Sequence, residues 1–331
     1  MTKNPKEKPK IDIGGLLEGV KNVAIAGHVS PDGDCIGSCL GLYTYITENF
    51  PEVNADVYMQ ELPEIYRFIN GVDKIISCCR KENAGKYDAI ILLDISSYDR
   101  IGVAFPIFDN IEKTICLDHH RTNNGTYTYF YNDPDASSTS EVLYRFLDPE
   151  KISKKCAEAI YMGIVHDTGV FRYQSTSPET MRTAAALMEK GIDFSRIVDE
   201  TFYEKTHTQQ VILGRILDRS QLYLDGRLII GTVSRKERTE LKLKASDLDG
   251  IVSQLRNTIG VEVSVLLYEL DNGEFKASFR SRDYVDVSDI CAGFGGGGHI
   301  RAAGCKMRGD VDEIAQNIVK LVEEKMAVQP S

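Results

Sequence analysis

The sequence predicts an α/β domain with a mainly parallel sheet, joined to a smaller α+β domain. The first half contains continuous apolar runs, which are typical of strands covered on both faces of a parallel sheet. These runs are KNVAIAG (21–27), YDAIILLD (87–94) and KTICLDHH (113–120). Helical patterns follow them, as expected for a layered α/β fold. The second half contains hairpin signals instead, which indicate antiparallel strands.

The remaining predicted elements define the domain boundaries. Helical patterns cover about 35–49, 138–147, 154–166, 178–190 and 193–218. In the second half, Asp225-Gly226 and Asp271-Asn272-Gly273 each lie between β-type runs, and helices are predicted near 247–258 and 311–326. We therefore expect a first domain over residues 1–195, a helical linker over 196–215 and a second domain over 216–331.

Composition and length favour a globular protein of the cytoplasm. The chain has 331 residues, of which 42% are hydrophobic and 27% charged, enough for two sizeable cores. No apolar run approaches the roughly 20 residues that a membrane helix needs, and the charged start lacks the apolar segment of a signal peptide. The eight cysteines include no CxxC pair. We therefore expect no membrane partner, and most cysteines to be small buried apolar residues.

The charge distribution restricts the class of ligand. A net charge of −10 disfavours long duplex nucleic acid, because the overall field repels a polyanion. Residues 276–308 run against this trend with a balance of +3, from Lys276, Arg280, Arg282, Arg301, Lys306 and Arg308 against Asp283, Asp286 and Asp289. Such a segment fits a small anionic ligand, although charge alone equally allows a solvated face. The oligomeric state is left open, and a homodimer is compatible with the sequence.

Histidine and aspartate side chains recur where predicted strands and helices end. They are His28, Asp32 and Asp34 in GHVSPDGD, Asp94 in LLD, Asp118, His119 and His120 in LDHH, and His166 and Asp167 in HDTG. The carboxyl ends of parallel strands meet at one edge of a sheet, so we expect these side chains to lie close together. Each motif alone also has a structural interpretation; Asp94, for example, could cap a helix. The whole set is much harder to explain in that way.

Clustered carboxylates predict bound cations. Several aspartates at one edge repel one another unless cations neutralise them, and two divalent ions would balance four carboxylates. Mixed imidazole and carboxylate ligands favour Mn²⁺ and are compatible with Zn²⁺, Fe²⁺ or Co²⁺, whereas Mg²⁺ sites use histidine less often. The sequence therefore predicts two divalent ions, with Mn²⁺ first among the candidates.

A glycine-rich segment offers a second site. Gly295 to Gly298 precede His299 inside the basic segment and follow a helical stretch over 286–292. Glycines allow backbone N–H groups to turn inward around an anion, and Arg280 and His299 could add charge-assisted contacts. A flexible linker is the alternative. The segment does not follow a strand, and the chain contains no Walker or dinucleotide fingerprint.

The ordered motifs resemble a known superfamily. GHVSPDGD, LLD, DHH and HDTG are similar to the motifs of the DHH phosphoesterase superfamily, and FRSRDYVDVSDICAGFGGGGHIRAAG resembles the DHHA1 domain. The likeness extends from about residue 20 to residue 327 and is closest to the nanoRNase and pAp phosphatase branch. It implies an active site in a cleft between the two domains.

The resemblance also implies roles for individual residues. One ion would be bound by His28, Asp32 and Asp94, and the other by Asp34, Asp94, His119 and Asp167. His120 would face the scissile phosphate, and Asp118 would orient its neighbours. The terminal phosphate or nucleotide of the substrate would be bound by Arg280, Ser281, Gly296, Gly297, Gly298 and His299. His166 has no counterpart in the family pattern, and we expect it to be structural or to support a ligand.

The function implied is metal-dependent hydrolysis of phosphoesters. The substrates would be short single-stranded RNAs (nanoRNA), cut to mononucleotides, and 3′-phosphoadenosine 5′-phosphate (pAp), converted to AMP. A phosphodiesterase for linear or cyclic dinucleotides remains open. An inorganic pyrophosphatase is less favoured because it lacks the GGGGH element. The net charge and the chain length disfavour a single-strand DNA exonuclease, and the complete ligand set disfavours a non-catalytic nucleotide sensor.

Overall fold

The chain divides into two compact units, Met1–Glu204 and Lys205–Ser331. The structure is a computed structural model, and it describes residues 11–327 except Glu61 and Pro63. The division falls within the predicted linker, between a π-helical turn at Asp199–Tyr203 and the helix His207–Arg219. None of the described helices has both the length and the apolar character needed to cross a membrane.

The N-terminal unit contains a six-stranded sheet with the order β3-β2-β1-β4-β5-β6. Every neighbouring pair in this sheet is parallel. The strands are β1 Asn22–Ala26, β2 Asn54–Tyr58, β3 Ile75–Ile76, β4 Ala89–Leu93, β5 Thr114–Asp118 and β6 Tyr129–Asn132. The helices are α1 Ile13–Leu16, α2 Gly33–Asn49, α3 Phe105–Phe108, α4 Thr139–Tyr144, α5 Lys154–Asp167, α6 Pro178–Met188 and α7 Phe194–Val198. Strand order reverses between β1 and β4, so a crevice is expected at the carboxyl ends of these strands.

The core of this unit fixes α2 against α5. Both helices are largely buried, and their closest approach is at glycines of α2. A Cβ at Gly37 would lie 2.5 Å from the carbonyl oxygen of Ala159, and one at Gly41 would lie 2.7 Å from Cγ1 of Ile160. Only glycine allows the two backbones to come so close. This packing holds the start of α2 and the end of α5 in fixed positions.

The C-terminal unit contains a mixed six-stranded sheet with the order β11-β12-β10-β9-β8-β7. Only β8 and β9 pair in parallel. The strands are β7 Gln221–Tyr223, β8 Leu228–Val233, β9 Val263–Glu269, β10 Phe275–Ser281, β11 Gly297–His299 and β12 Ala302–Met307. The helices are α8 His207–Arg219, α9 Arg235–Glu240, α10 Ile251–Arg256, α11 Val287–Ala292 and α12 Val311–Ala327. Two apolar clusters stabilise the unit, one around Phe279 and Ile318 and one around Ile216 and Leu255.

The predicted fold class, an α/β unit with a parallel sheet followed by a smaller α+β unit, is confirmed. The strands predicted at 21–27, 87–94 and 113–120 are present as β1, β4 and β5. Analysis of the sequence missed β2, β3 and β6 in the first sheet and β11 and β12 in the second. The helix predicted over 138–147 is shorter, because α4 ends at Tyr144.

Candidate functional site

Asp94 lies at the centre of the candidate site, immediately after β4. Its backbone has φ of +60°, a left-handed conformation that Asp tolerates better than most residues, and only 2% of it is exposed. Oδ2 lies 3.4 Å from Nε2 of His28, whereas Oδ1 lies 3.7 Å from Nε2 of His119. Oδ1 also lies 3.5 Å from Nδ1 of His120, so one buried carboxylate faces three histidines from two strand ends.

His28 and Asp32 form the first group around Asp94. The Nδ1–H of His28 donates to the backbone carbonyl of Val29 at 2.8 Å, which leaves Nε2 directed at the carboxylates. Asp32 is the N-cap of α2, and its Oδ1 lies 3.7 Å from Nε2 of His28. Burial lowers the pKa of His28, but hydrogen bonds with Asp32 and Asp94 outweigh it and raise this pKa to about 11. In the ion-free chain, a proton on His28 thus compensates the neighbouring carboxylates.

Asp34, His119 and Asp167 form the second group. Nε2 of His119 lies 3.3 Å from Oδ2 of Asp167 and 4.0 Å from Oδ2 of Asp34. Its Nδ1 faces the carbonyl of Ala136 at 3.4 Å, so the orientation matches that of the first histidine. Asp167 is the last residue of α5, so the end of a helix places this carboxylate beside His119.

Electrostatics show that these carboxylates repel one another. Burial raises the pKa of Asp34 well above its ordinary value, and the charges of Asp94 and Asp167 raise it further. Burial, followed by the charges of Asp94 and Asp32, raises the pKa of Asp167 to about 8. Carboxylates that resist ionisation side by side are favourable only when positive charge is nearby. The donor atoms of Asp34, His119 and Asp167 lie within 4.8 Å of one another, as do those of His28, Cys35 and Asp94. This chemistry fits two divalent ions.

His120 is oriented by Asp118. Oδ1 of Asp118 accepts hydrogen bonds from Nδ1 of His120 at 2.8 Å and from the backbone N–H of His119, also at 2.8 Å. Its Oδ2 accepts a hydrogen bond from the side chain of Asn123 at 2.7 Å. Both oxygens of this fully buried carboxylate are therefore hydrogen-bonded. Burial lowers the pKa of His120, but the bond to Asp118 and the charge of Asp94 outweigh it and raise this pKa to about 9. His120 is therefore a cationic donor at neutral pH, with Nε2 as its remaining nitrogen.

His166 packs over the first turn of α2. A Cβ at Gly33 would lie 2.1 Å from Cγ of His166, so the loop requires glycine at this position. Nε2 of His166 lies 2.9 Å from Oγ1 of Thr201, and its ring packs against Tyr66 and Phe202. The ring thus fixes Gly33 between Asp32 and Asp34. This contact agrees with the prediction that His166 is structural or supports a ligand.

Several residues of the site could not be recognised from side-chain chemistry. The backbone N–H groups of Thr139 and Ser140 donate to Oδ2 and Oδ1 of Asp34 at 2.6 and 2.9 Å, from the first turn of α4. Oγ1 of Thr139 also donates to Oδ1 of Asp94 at 3.1 Å. Arg100 places Nη2 3.0 Å from Nδ1 of His28. The only signal in the sequence was the capping pattern from Ser138 to Glu141, which predicts a helix start but no acceptor.

The predicted residues of the C-terminal unit lie on β10, β11 and the segment before β11. Arg280 donates from Nη1 to the carbonyl of Phe279 at 2.9 Å. Ser281 is fully buried and its hydroxyl donates to the carbonyl of Ile300, so it connects β10 to the turn after β11. The carboxylate of Glu262, which was not recognised from sequence, accepts N–H groups from Asp283, Tyr284 and Val285 at 2.8–3.1 Å. It holds the segment that follows Ser281.

The glycine-rich segment differs from the expected ring of inward amides. The N–H groups of Gly295 and Gly296 donate to Ala292 and Cys291 at the end of α11, so these two amides cap a helix and do not turn toward an anion. Gly297, Gly298 and His299 form β11 and are exposed. A Cβ at Gly296 would lie 2.3 Å from the carbonyl oxygen of Gly304. Position 296 therefore requires glycine because the two backbone segments approach each other closely there.

Comparison with known proteins follows the same two-part division. A model of the DHH family, N-terminal domain, matches residues 22–164, and a model of the DHHA1 domain matches residues 225–327. Residues 22–164 are thus similar to a DHH domain, and residues 225–327 are similar to a DHHA1 domain. The DHH domain match includes His28, Asp32, Asp34, Asp94, Asp118, His119 and His120. The DHHA1 match includes Arg280, Ser281, Gly296, Gly297, Gly298 and His299.

Proteins similar to this chain are named for different activities. A bifunctional oligoribonuclease and PAP phosphatase NrnA from Thermus thermophilus is 29% identical over 95% of this chain and 93% of its own length. A cyclic-di-AMP phosphodiesterase PdeA from Listeria monocytogenes is 26% identical over 88% of this chain, which spans 46% of that relative. The crystal structure of an exopolyphosphatase-related protein from Bacteroides fragilis has a TM-score of 0.87 and 27% identity, covering 93% of this chain and 94% of the other.

Proposed function

We propose that this protein is a two-metal-dependent phosphoesterase that cuts short RNA oligonucleotides to mononucleotides and hydrolyses pAp to AMP. The observation that carries the proposal is the position of Asp94, with one carboxylate oxygen facing His28 and the other facing His119. A bridging carboxylate between two His/Asp groups is the arrangement that a pair of divalent ions requires. The name of the Thermus relative supports the substrate class.

The chain supplies a separate ligand set for each ion. His28, Asp32 and Asp94 would hold one ion, and Asp34, Asp94, His119 and Asp167 would hold the other. Mn²⁺ is the first candidate, with Mg²⁺, Co²⁺, Fe²⁺ and Zn²⁺ as alternatives. When bound, such ions lower the pKa of water and stabilise charge on phosphoryl oxygens. The amides of Thr139 and Ser140 hold Asp34 in a fixed orientation, so little rearrangement is needed.

His120 would act on the phosphate itself. Because Nδ1 is hydrogen-bonded to Asp118, the proton that the ring can offer a substrate is on Nε2. Burial lowers the pKa of His120, whereas the hydrogen bond to Asp118 raises it and so favours the protonated ring. A cationic donor of this kind stabilises the charge that accumulates on phosphoryl oxygens in the transition state. Asp118 is a positioning residue, since it reaches the phosphate only through His120.

The C-terminal unit would bind the terminal phosphate or nucleotide of the substrate. Arg280 and His299 offer positive or donor groups, and Gly297 and Gly298 place an exposed backbone without side chains beside them. Ser281 and Gly296 would act by shaping this surface, because one is fully buried and the other closely approaches Gly304. These groups fit an anionic substrate such as pAp, and the substrate class fits a cytoplasmic enzyme.

A substrate panel tests the proposal. We expect Mn²⁺-dependent release of phosphate from pAp and of mononucleotides from RNAs of a few nucleotides, with both activities lost in excess chelator and restored by Mn²⁺. Linear and cyclic dinucleotides, pyrophosphate and long single-stranded DNA complete the panel. Preferred turnover of a cyclic dinucleotide would favour the activity named for the Listeria relative. Tight binding of pAp without turnover under any divalent ion would contradict an enzymatic role.

Gly298→Ala tests the role of the glycine-rich segment. Gly298 has φ of +147°, and an added Cβ would lie 2.4 Å from the carbonyl oxygen of Ala302. Strain of about 1–3 kcal/mol would displace the strand that carries His299, so we expect KM for pAp to rise by about tenfold or more with metal content unchanged. Gly214→Ala is the matched control, because a Cβ at Gly214 in α8 meets open space. An unchanged KM in Gly298→Ala would remove this segment from the substrate site.

A further inference from the structure

Cys35 lies in the first turn of α2, next to Asp34, and is fully buried. Its Sγ accepts the backbone N–H of His28 at 3.2 Å. A Cβ at Gly27 would lie only 2.2 Å from this sulfur, so the strand end is shaped to leave room for it.

The sulfur is close to donor atoms of His28 and Asp94. The ligand atoms of His28, Cys35 and Asp94 all lie within 4.8 Å of one another, and all three residues are buried. Cys39, one turn later on the same helix, is equally buried but is not part of any such group among the described residues. Cys35 therefore lies beside possible metal ligands, whereas Cys39 does not.

We propose that Sγ of Cys35 is a ligand of the ion bound by His28 and Asp94, and that it makes this position selective for thiophilic ions. The proposal rests on the two-metal centre proposed above. Binding replaces the S–H bond with a sulfur–metal bond, and the thiol proton passes to solvent. Sulfur is a soft donor that favours Zn²⁺, Co²⁺ or Fe²⁺ over Mg²⁺ and Mn²⁺.

The second position has no such donor. Asp34, His119 and Asp167, together with Asp94, offer only nitrogen and oxygen atoms. The two positions therefore differ in softness although they share a carboxylate. A mixed centre follows from this difference, with a thiophilic ion beside His28 and Mn²⁺ or Mg²⁺ beside His119.

Cobalt spectroscopy tests the sulfur ligand without relying on activity. The metal-free full-length protein is titrated with Co²⁺, and visible bands report binding whereas a near-ultraviolet sulfur-to-cobalt charge-transfer band reports a sulfur ligand. We expect this band in wild type and in Cys39→Ser, and its loss in Cys35→Ser. Competition titrations should also show that Cys35→Ser lowers the preference for Zn²⁺ over Mn²⁺ by about tenfold or more. Loss of a group that only hydrogen-bonds to a metal ligand already lowers metal affinity by about tenfold or more, so loss of a direct ligand should do at least as much.

The outcomes separate this proposal from the proposed function. Bound cobalt without a charge-transfer band in wild type, or a band that survives in Cys35→Ser, overturns the sulfur ligand and leaves the two-metal centre intact. A wild-type protein that binds no cobalt overturns both. If Cys35→Ser does not fold, X-ray absorption of Zn²⁺-loaded Cys39→Ser decides the matter: a sulfur neighbour at about 2.3 Å supports the proposal, and its absence overturns it.

Discussion

Asp94→Asn should lower the Mn²⁺-dependent hydrolysis of pAp by at least about a thousandfold, equivalent to about 4 kcal/mol of transition-state stabilisation. The reason is that Asp94 faces both His28 and His119, so its replacement weakens both proposed metal positions at once. Asn keeps the shape of the side chain and tolerates the left-handed backbone found here. The substitution therefore removes charge with little disturbance of the fold.

The comparison for this variant is Asp73→Asn, an exposed aspartate of the same unit whose side chain is 73% accessible. Initial rates of phosphate release and the number of ions bound per chain should be measured for both variants and for wild type. Asp73→Asn should match wild type in both respects. Equal rates for Asp94→Asn and wild type would reject the assignment of Asp94 as the bridging ligand.

Glu141→Gln should reduce the unfolding free energy of the N-terminal unit by about 3 kcal/mol, as expected when one partner of a buried charge pair is lost. Only 1% of Glu141 is exposed. Oε2 accepts hydrogen bonds from the hydroxyls of Ser137 and Thr180 at 2.6 and 2.7 Å, and Oε1 accepts one from Arg145 at 2.7 Å. The NH₂ group of glutamine is a donor and would face the donor groups that now bind the carboxylate. Arg145 would also lose its negatively charged partner at this position. Activity should also fall, because Ser137 leads into the turn of α4 that holds Asp34.

The stability difference between wild type and Glu141→Gln should depend on pH. Burial alone raises the pKa of Glu141, but hydrogen bonds from Ser137, Thr180 and Arg145 outweigh it and lower this pKa below its ordinary value of 4.5. Because the folded pKa is the lower one, the stabilisation is complete above pH 4.5 and is lost as the pH falls below it. The difference between the two proteins should therefore be largest near neutral pH and shrink in acid.

Urea unfolding followed by circular dichroism would measure this difference, and hydrogen exchange in α4 and α6 would assign the transition to the N-terminal unit. Glu179→Gln is the control, because Glu179 is 58% accessible and forms only a surface pair with Arg182. Its effect should stay within about 0.5 kcal/mol. Similar unfolding midpoints for Glu141→Gln and Glu179→Gln would show that the buried network contributes little.

Predictions from sequence succeeded where burial leaves a clear pattern. β1, β4 and β5 are continuous apolar runs because helices or loops cover both faces of the sheet centre, and the pattern is therefore visible in the letters alone. β2 is partly exposed and its apolar pattern is interrupted by Asn54 and Asp56, whereas β3 has only two residues, too few to form a pattern. β11 consists of Gly297, Gly298 and His299, and glycine has little intrinsic preference for strands, so only pairing with β12 defines it.

The same distinction applies to the site. Asp94, Asp118 and His119 could be predicted to lie together because strand ends in a parallel sheet meet at one edge. The role of the Thr139 and Ser140 amides could not be predicted, because every residue except proline has an N–H group. Only the fold decides which of these groups face Asp34. Close packing of His166 over Gly33 was hidden for the same reason. Sequence patterns identify the charged groups, whereas their orientation depends on tertiary packing.

The crowded acids at the strand ends also link ion content to the lifetime of the fold. With no ion bound, burial and the charge of Asp94 raise the pKa of the buried Asp34 and of the half-buried Asp167. The ion-free N-terminal unit is therefore less stable than one with neutral side chains at these positions would be. Ions that bind only the folded chain offset this deficit by mass action. On the proposed two-metal centre, the supply of metal would therefore affect the abundance of this protein as well as its rate.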